Sequence, residues 1–144
     1  MKREADGTGA ALPRFYGAAG APPEIRALYE ELRRVWAADT CAPRMRADWT
    51  PENPTLGQCS VTAFLVQELF GGTVYGVPLG DGNYHCYNAA LGAVFDLTSE
   101  QFGGRPPVYG DDPEQTREVH FAKAEKRARY ELLKARLTAL RAGR

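Results

Sequence analysis

The sequence lacks the features that mark membrane, secreted and polyanion-binding proteins. No segment approaches the roughly 20 consecutive apolar residues that span a bilayer, so we expect no membrane partner. Eighteen lysine and arginine residues balance eighteen aspartate and glutamate residues, so the overall charge demands no polyanionic partner. The N-terminal stretch carries charges at once and has no continuous apolar stretch like that of a signal peptide. We therefore expect a cytoplasmic protein.

Cysteine and histidine are also scarce. Three cysteines, Cys41, Cys59 and Cys86, are too few and odd in number for a disulfide framework, so we expect reduced thiols. Cys59, His85, Cys86 and Asp96 offer zinc-type ligands, but there is no Cys-x-x-Cys pair and His85 and Cys86, adjacent on a strand, should point to opposite faces. We predict no metal and no cofactor, and interpret Cys41 and Cys86 as packing residues.

Apolar periodicity predicts an α+β fold: a single domain over residues 23–144, preceded by a flexible Ala-, Gly- and Pro-rich arm over residues 1–22. Helical spacing occurs in three segments: about 23–38, 59–69 and 114–142. β-Type patterns bounded by turn signals predict three antiparallel strands: 73–77, 84–90 and 93–97. The segments 39–58 and 103–113 are predicted loops, and long loops in compact domains often carry function. The middle helix is expected to pack on the antiparallel sheet.

Cys59, His85 and Asp96 stand where a thiol enzyme needs its three catalytic groups. Cys59 opens the middle helix, where the helix dipole and a neighbouring imidazolium would lower the pKa of its thiol. His85, on the second strand, is the natural general base. If Leu91-Gly92 is the hairpin turn, Asp96 on the next strand lies diagonally across from His85 and can orient its ring.

Further residues are candidates for holding the oxyanion or positioning the substrate. The backbone N–H of Cys59, at a helix start, is one oxyanion donor. The side-chain amide of Asn53, in the preceding loop, is a second, and Gln58 is its rival. Trp49, in the same loop, is a candidate wall of the cleft, and Asn88 follows His85 by three residues on the strand.

The Gly-Gln-Cys-Ser-Val-Thr-Ala segment at residues 57–63 resembles the nucleophile segment of transglutaminase-like enzymes. In that family Gly-Gln-Cys opens a buried helix and the histidine follows on a strand, as in His85-Cys86-Tyr87-Asn88. The aspartate sits on the next strand before a turn, as in Phe95-Asp96-Leu97-Thr98. The resemblance implies a papain- or transglutaminase-like fold and a Cys-His-Asp triad in this chain order.

A closer resemblance, over about residues 25 to 105, is to small bacterial YunG-like proteins. The shared segments are Trp49-Thr50-Pro51-Glu52-Asn53-Pro54, residues 57–63, Gly71-Gly72, His85-Cys86-Tyr87-Asn88 and Asp96-Leu97-Thr98-Ser99-Glu100-Gln101-Phe102. In this chain Cys86 and Tyr87 replace a bulkier aromatic pair beside the histidine. That departure bears on the substrate more than on the mechanism.

These residues predict a thiol-dependent hydrolase or acyltransferase. Cys59 would attack the carbonyl of a peptide, amide or acyl substrate, and the resulting thioester would pass its acyl group to water or to an amine. A cysteine peptidase, an amidase and a transglutaminase-like acyltransferase all fit this chemistry, and the substrate, the acceptor and the oligomeric state stay open.

The alternative is a non-catalytic binding module that uses the cleft or the basic C-terminal helix. Residues 123–144 carry eight lysine and arginine residues against Glu125 and Glu131. The usual explanation of such a pattern is a solvated helix face with cations favoured near its C-terminus. We therefore expect no nucleic-acid partner.

Overall fold

The computed structural model describes residues 14–16, 21–105 and 107–143, and in these ranges the chain has an α+β fold. The helices are α1 (Pro23–Leu32), α2 (Cys59–Phe70), α3 (Arg117–Phe121) and α4 (Ala124–Ala142). The strands are β1 (Arg14–Tyr16), β2 (Thr73–Pro78), β3 (Tyr84–Ala90), β4 (Ala93–Asp96) and β5 (Glu114–Gln115). Most of the predicted arm, residues 1–22, lies outside the described residues; within it, β1 forms a strand.

The strands form one sheet in the order β1-β4-β3-β2-β5. The pairs β4–β3, β3–β2 and β2–β5 are antiparallel, and β1 joins β4 in parallel. Leu91 and Gly92 connect β3 to β4 with φ of 54° and 74°, the positive values that tight hairpin turns require. The hairpin register expected from the sequence is confirmed, because Asn88 lies opposite Phe95 and Ala90 opposite Ala93.

Helix α2 is apolar nearly all round because it is enclosed on two sides. It packs on β2 and β3 of the sheet and against α4. Phe64 and Leu65 of α2 are fully buried, and burial of one such side chain contributes about 1.5–3 kcal/mol. Across the sheet a smaller cluster is formed by Tyr75, Val77, Tyr87, Ala89 and Val94. The N-terminus of α2 is thereby fixed over the beginning of β3.

Helix α1 is shorter than the sequence pattern predicts. The apolar spacing continues to Trp36, but the helix ends at Leu32 and the chain goes on in turns. The buried Trp36 ring donates its Nε1–H to Thr62 Oγ1 of α2 at 2.9 Å. Ala37 is extended, so its carbonyl accepts a bond from Gln58 Nε2 at 3.0 Å. These two hydrogen bonds hold Trp36 and Ala37 against the α2 region, where the sequence pattern predicted that α1 would continue.

The predicted continuous helix over 114–142 is interrupted in its first third, where only α3, Arg117–Phe121, is helical. Gln115 pairs with Val74 of β2 in the sheet, so the chain starts as a strand. Thr116 then caps α3 by accepting a hydrogen bond from the Val119 N–H at 3.4 Å, and Lys123 is extended before α4 begins. The sheet ladder and the cap satisfy backbone groups that a continuous helix would have used.

No helix among the described residues combines the length and the apolar character needed to cross a bilayer.

Gly57 is a position where the fold requires glycine. Its φ is +70°, and a Cβ there would lie 2.4 Å from Cys41 Sγ and 2.9 Å from the Ala42 nitrogen. A left-handed backbone costs other residues about 1–2 kcal/mol and overpacking about 1–3 kcal/mol. We expect Gly57→Ala to lower the free energy of unfolding by about 2–5 kcal/mol, measured by urea denaturation.

Gly104→Ala is the matched control, because a Cβ at Gly104 meets nothing within 4 Å. Its free energy of unfolding should stay close to that of the parent protein. Equal stability of the two variants would contradict this view of the loop before α2.

Candidate active site

Cys59 is the first residue of α2 and is partly exposed. As the first helical residue it has no intrahelical acceptor for its N–H, and no side chain of the described residues caps this end of the helix. The loop before it is braced by a bond from the Ala42 N–H to the Gly57 carbonyl at 2.9 Å. The Cys59 thiol therefore lies in the positive field of the helix N-terminus.

His85 and Asp96 form the most buried polar contact of the site. Both side chains are 1% exposed, and His85 Nε2 lies 2.6 Å from Asp96 Oδ2. Phe102 packs edge-on against the imidazole at a centroid distance of 4.7 Å. Since Nε2 is engaged with Asp96, Nδ1 is the nitrogen left to exchange a proton with Cys59.

The carboxylate of Asp96 is itself held in place. Oδ1 accepts the Thr98 N–H at 3.1 Å, and the Thr98 hydroxyl lies 3.4 Å away. Oδ2 also accepts the hydroxyl of Tyr109. Because each carboxylate oxygen has a fixed donor in addition to His85, Asp96 can turn neither away from the ring nor toward solvent.

The Cys59 thiol meets β3 at the beginning of the strand, 3.7 Å from the Tyr84 carbonyl oxygen. A hydrogen bond from the Cys86 thiol lowers the pKa of Cys59 well below its usual range, against the effect of burial, and a hydrogen bond from His85 adds to the lowering. The same contact and burial raise the pKa of Cys86. The two shifts favour the negative charge on Cys59, which is partly exposed, over the buried Cys86.

The pKa of His85 moves in the opposite direction. Burial by itself lowers it, but hydrogen bonds to Asp96 and Cys59 and the charges of both raise the pKa to about 10. These opposite shifts favour a thiolate on Cys59 and an imidazolium on His85 at neutral pH.

The prediction that Cys86 is a packing residue accounts for only part of what this side chain does. Neighbouring strand residues do point to opposite faces, and Cys86 packs in the main core. However, Cys59 is the first residue of α2 and lies over the beginning of β3, where both His85 and Cys86 act on its sulfur. The hydrogen bond from Cys86 to Cys59 was not predicted from the sequence. The alternation of side chains along β3 separates His85 from Cys86, but it does not indicate that a residue near the beginning of the strand can contact both.

Cys59 and His85 open into a cleft of about 360 Å³. Its described lining includes the apolar side chains of Met45, Leu79 and Phe102 and the amide of Gln101. Gln101 accepts a bond from the Gly57 N–H at 3.4 Å and donates one to the Thr98 carbonyl at 2.9 Å. The cleft therefore combines an apolar wall with side-chain amides, of which that of Gln101 is hydrogen-bonded to Gly57 in the loop before α2.

The other predicted positioning residues contact different parts of the chain and are not in the described lining of the cleft. Gln58 donates its side-chain amide to the Ala37 carbonyl. Trp49 donates its indole N–H to the Pro54 carbonyl at 3.0 Å. Asn53 pairs with Thr50 in the loop, and Asn88 is buried and donates to the Ala63 carbonyl of α2 at 2.8 Å.

Several groups around the site carried no clear sequence signal. Tyr109 reaches Asp96 from the loop predicted over 103–113. His120 and Lys126 line the cleft, although the predicted continuous helix gave no reason to place them there. Gln101 belongs to the segment shared with YunG-like proteins, which was the one available hint. In the described part of the chain, no three His, Cys, Asp or Glu side chains are grouped so that they could hold a metal ion.

Comparison with known proteins gives one family and one relative. The family model described as YunG protein matches residues 24–141. The uncharacterized protein YunG of Bacillus subtilis (strain 168) is 41% identical over 71 residues, which is 49% of this chain and 56% of that protein. The chain thus matches little more than half the length of this relative. No solved structure matches the chain.

The thiolate character of Cys59 can be measured by alkylation with iodoacetamide across pH. Cys59 should react faster at neutral pH than Cys41, whose pKa burial raises, and should keep its rate into the acidic range. Cys86→Ala removes a donor to the thiolate; a loss of about 1 kcal/mol corresponds to a roughly fivefold slower reaction on the acidic side.

The control is Cys41→Ser, which leaves the groups around Cys59 in place and should not move the pH profile of Cys59. A Cys59 that titrates at the ordinary pKa of a thiol, about 8.5, in both the parent and Cys86→Ala would contradict the assignment.

Proposed function

Because the chain belongs to the YunG family, whose Bacillus subtilis member is described only as uncharacterized, we propose its function from the site itself. The protein is a thiol-dependent hydrolase or acyltransferase that acts on an amide or acyl bond through Cys59, His85 and Asp96. Its nucleophile helix on an antiparallel sheet and its Cys, His, Asp order are those of papain- and transglutaminase-like enzymes. That broader relationship is part of the proposal.

One observation carries the proposal: the cleft that Cys59 opens into also holds His85, whose ring is bound to the buried carboxylate of Asp96. The opposite pKa shifts of Cys59 and His85 support it. The pKa of Cys59 is lowered and the pKa of His85 is raised to about 10, while the buried Asp96 holds the imidazole at 2.6 Å. Paired shifts of this kind, beside a cleft, are typical of catalytic sites. A packing cysteine and a core histidine would not require a buried carboxylate with fixed donors behind them.

In the proposed reaction the Cys59 thiolate attacks the carbonyl carbon of the substrate. The carbonyl oxygen becomes an oxyanion, which accepts a hydrogen bond from the Cys59 backbone N–H. The Gln101 amide takes the place of Asn53 and Gln58 as second donor, because it lines the cleft and gives only one of its two N–H groups to Thr98.

The tetrahedral intermediate then expels the leaving amine, which takes the proton from His85 Nδ1. The product is a Cys59 thioester and a neutral imidazole. His85 next removes a proton from water or from an acceptor amine, which attacks the thioester and releases the acyl group. Asp96 keeps Nε2–H in place through both steps and stabilises the imidazolium each time it forms.

Acyl transfer can be tested with p-nitrophenyl acetate as a generic acyl donor. We expect a burst of p-nitrophenol and an acetyl group on Cys59, detected by mass spectrometry. Cys59→Ser should abolish the burst, and His85→Ala should slow turnover by roughly 10²–10⁴-fold, while Cys41→Ser keeps the parent rate. An inert Cys59 would instead support the non-catalytic binding module.

The pH dependence of amide turnover follows from the two pKa shifts. With an N-acetyl p-nitroanilide, the reaction needs the imidazolium of His85 to protonate the leaving amine, so the rate should hold through neutral pH and fall above about pH 10. Asp96→Asn removes a group that raises the pKa of His85, so this alkaline fall should move to lower pH. A profile that rises through pH 10 would contradict the assignment.

A further inference from the structure

A second part of the cleft wall is cationic and is not used by the proposed mechanism. Among the described residues that line the cleft, four are lysine or arginine and one, Glu125, is acidic; the cations are Arg44, Lys123, Lys126 and Arg129. Glu125 accepts a bond from the guanidinium of Arg129, and Arg129 also donates to the Thr40 carbonyl at 3.3 Å. The charges of the other three cations are therefore left facing the cleft.

Lys126 is the most enclosed of these three. It is half-buried, whereas Arg44 and Lys123 are exposed, and burial lowers its pKa while the nearby charge of Cys59 acts to raise it. Among the described residues, no carboxylate lies within ion-pair distance of Lys126. Partial burial of an ammonium without a paired carboxylate costs free energy, and the Cys59 thiolate is a negative charge that the site itself offers it.

The ammonium is held by a chain of two hydrogen bonds. Lys126 Nζ lies 2.9 Å from His120 Nδ1, and His120 Nε2 lies 2.8 Å from Gln115 Oε1. Burial, with the charge of Lys126, lowers the pKa of His120 to about 4, so the ring is neutral at pH 7. Only the tautomer with the proton on Nε2 serves both bonds: it donates to Gln115 and accepts from Lys126.

The other end of this chain is fixed by the sheet. Gln115 pairs with Val74 of β2, and its side chain passes over Gly76, where a Cβ would come within 2.9 Å of Gln115 Cγ and Cδ. Phe64 packs on the His120 ring at 5.1 Å between centroids. Glycine at position 76 thus gives Gln115 the room it needs to hold His120, and His120 directs Lys126 to the cleft.

We propose that Lys126 binds an anionic group of the substrate, so that the protein takes an acyl donor bearing a carboxylate near the carbonyl that Cys59 attacks. This inference rests on the proposed function and adds its substrate class. The positioned ammonium supplies a fixed point charge, and the exposed Lys123 and Arg44 attract the anion to the cleft. His120 and Gln115 are positioning residues, since they act only through Lys126.

The test uses three methanethiosulfonate reagents that modify the same thiol: the neutral methyl, the anionic 2-sulfonatoethyl and the cationic 2-(trimethylammonium)ethyl compound. Modification of Cys59 is located by mass spectrometry at physiological ionic strength. The rate with the neutral reagent measures how reactive the Cys59 thiol is. The ratio of the rates with the anionic and the cationic reagents measures the effect of charge in the cleft. We expect a ratio well above that of a small free thiol and roughly a fivefold to tenfold fall in Lys126→Gln.

Two variants serve as controls. Lys126→Arg keeps the charge and should keep the ratio. Arg127→Gln removes the same charge from the neighbouring exposed position on α4, outside the described lining of the cleft, and should leave the ratio close to that of the parent.

A further variant tests the positioning role of His120. His120→Phe keeps an aromatic ring against Phe64 but removes the acceptor for Lys126, so the ratio of anionic to cationic rates should fall while the rate with the neutral reagent holds.

The same prediction applies to turnover. Lys126→Gln should raise KM for mono-p-nitrophenyl succinate, whose acyl group carries a carboxylate, by a clearly larger factor than KM for p-nitrophenyl acetate. Equal impairment with both esters would mean that Lys126 only tunes the thiol, and would overturn the substrate class. A fast neutral reaction without anion preference overturns the inference alone, whereas a slow neutral reaction at Cys59 overturns the proposed function and the inference with it.

Discussion

The carboxylate of Asp96 is buried at the end of β4, where it accepts hydrogen bonds from His85, Thr98 and Tyr109. A buried carboxylate is costly unless its oxygens are satisfied, and these donors satisfy both of them. The imidazole of His85 is held to this carboxylate and gains the charge interaction that raises its pKa. The position of the proton, and with it the charge on Cys59, depends on this contact.

The nucleophile is fixed by a different set of constraints. Helix α2 is anchored in the core by its apolar side chains, and Gly57, which no larger residue can replace without a clash with Cys41, directs the chain into its first turn. The thiol then meets the beginning of β3, where His85 and Cys86 both reach it. Helix dipole, imidazolium and a neighbouring thiol act in the same direction on one sulfur atom.

Local sequence signals predicted the parts of this site that depend on local structure. The helix start at Cys59 and the β3–β4 hairpin follow from turn residues and alternation, so the His85–Asp96 contact could be expected. The loop before α2 could not be predicted, because Gln58 turns to the Ala37 carbonyl only once α1 and α2 have packed. The Lys126–His120 contact depends on the interruption of the helix at Lys123, which separates α3 from α4. The sequence pattern showed no sign of this interruption, because it is helical throughout.

The central claim is that Cys59 and His85 form a thiolate–imidazolium pair in the resting protein. Its most direct measurement is the ultraviolet absorbance of thiolate as a function of pH, taken as the difference between the parent protein and Cys59→Ser. We predict a thiolate signal that is already complete at neutral pH and disappears only on acidification. A signal that first appears above about pH 8.5, where an ordinary thiol titrates, would contradict it.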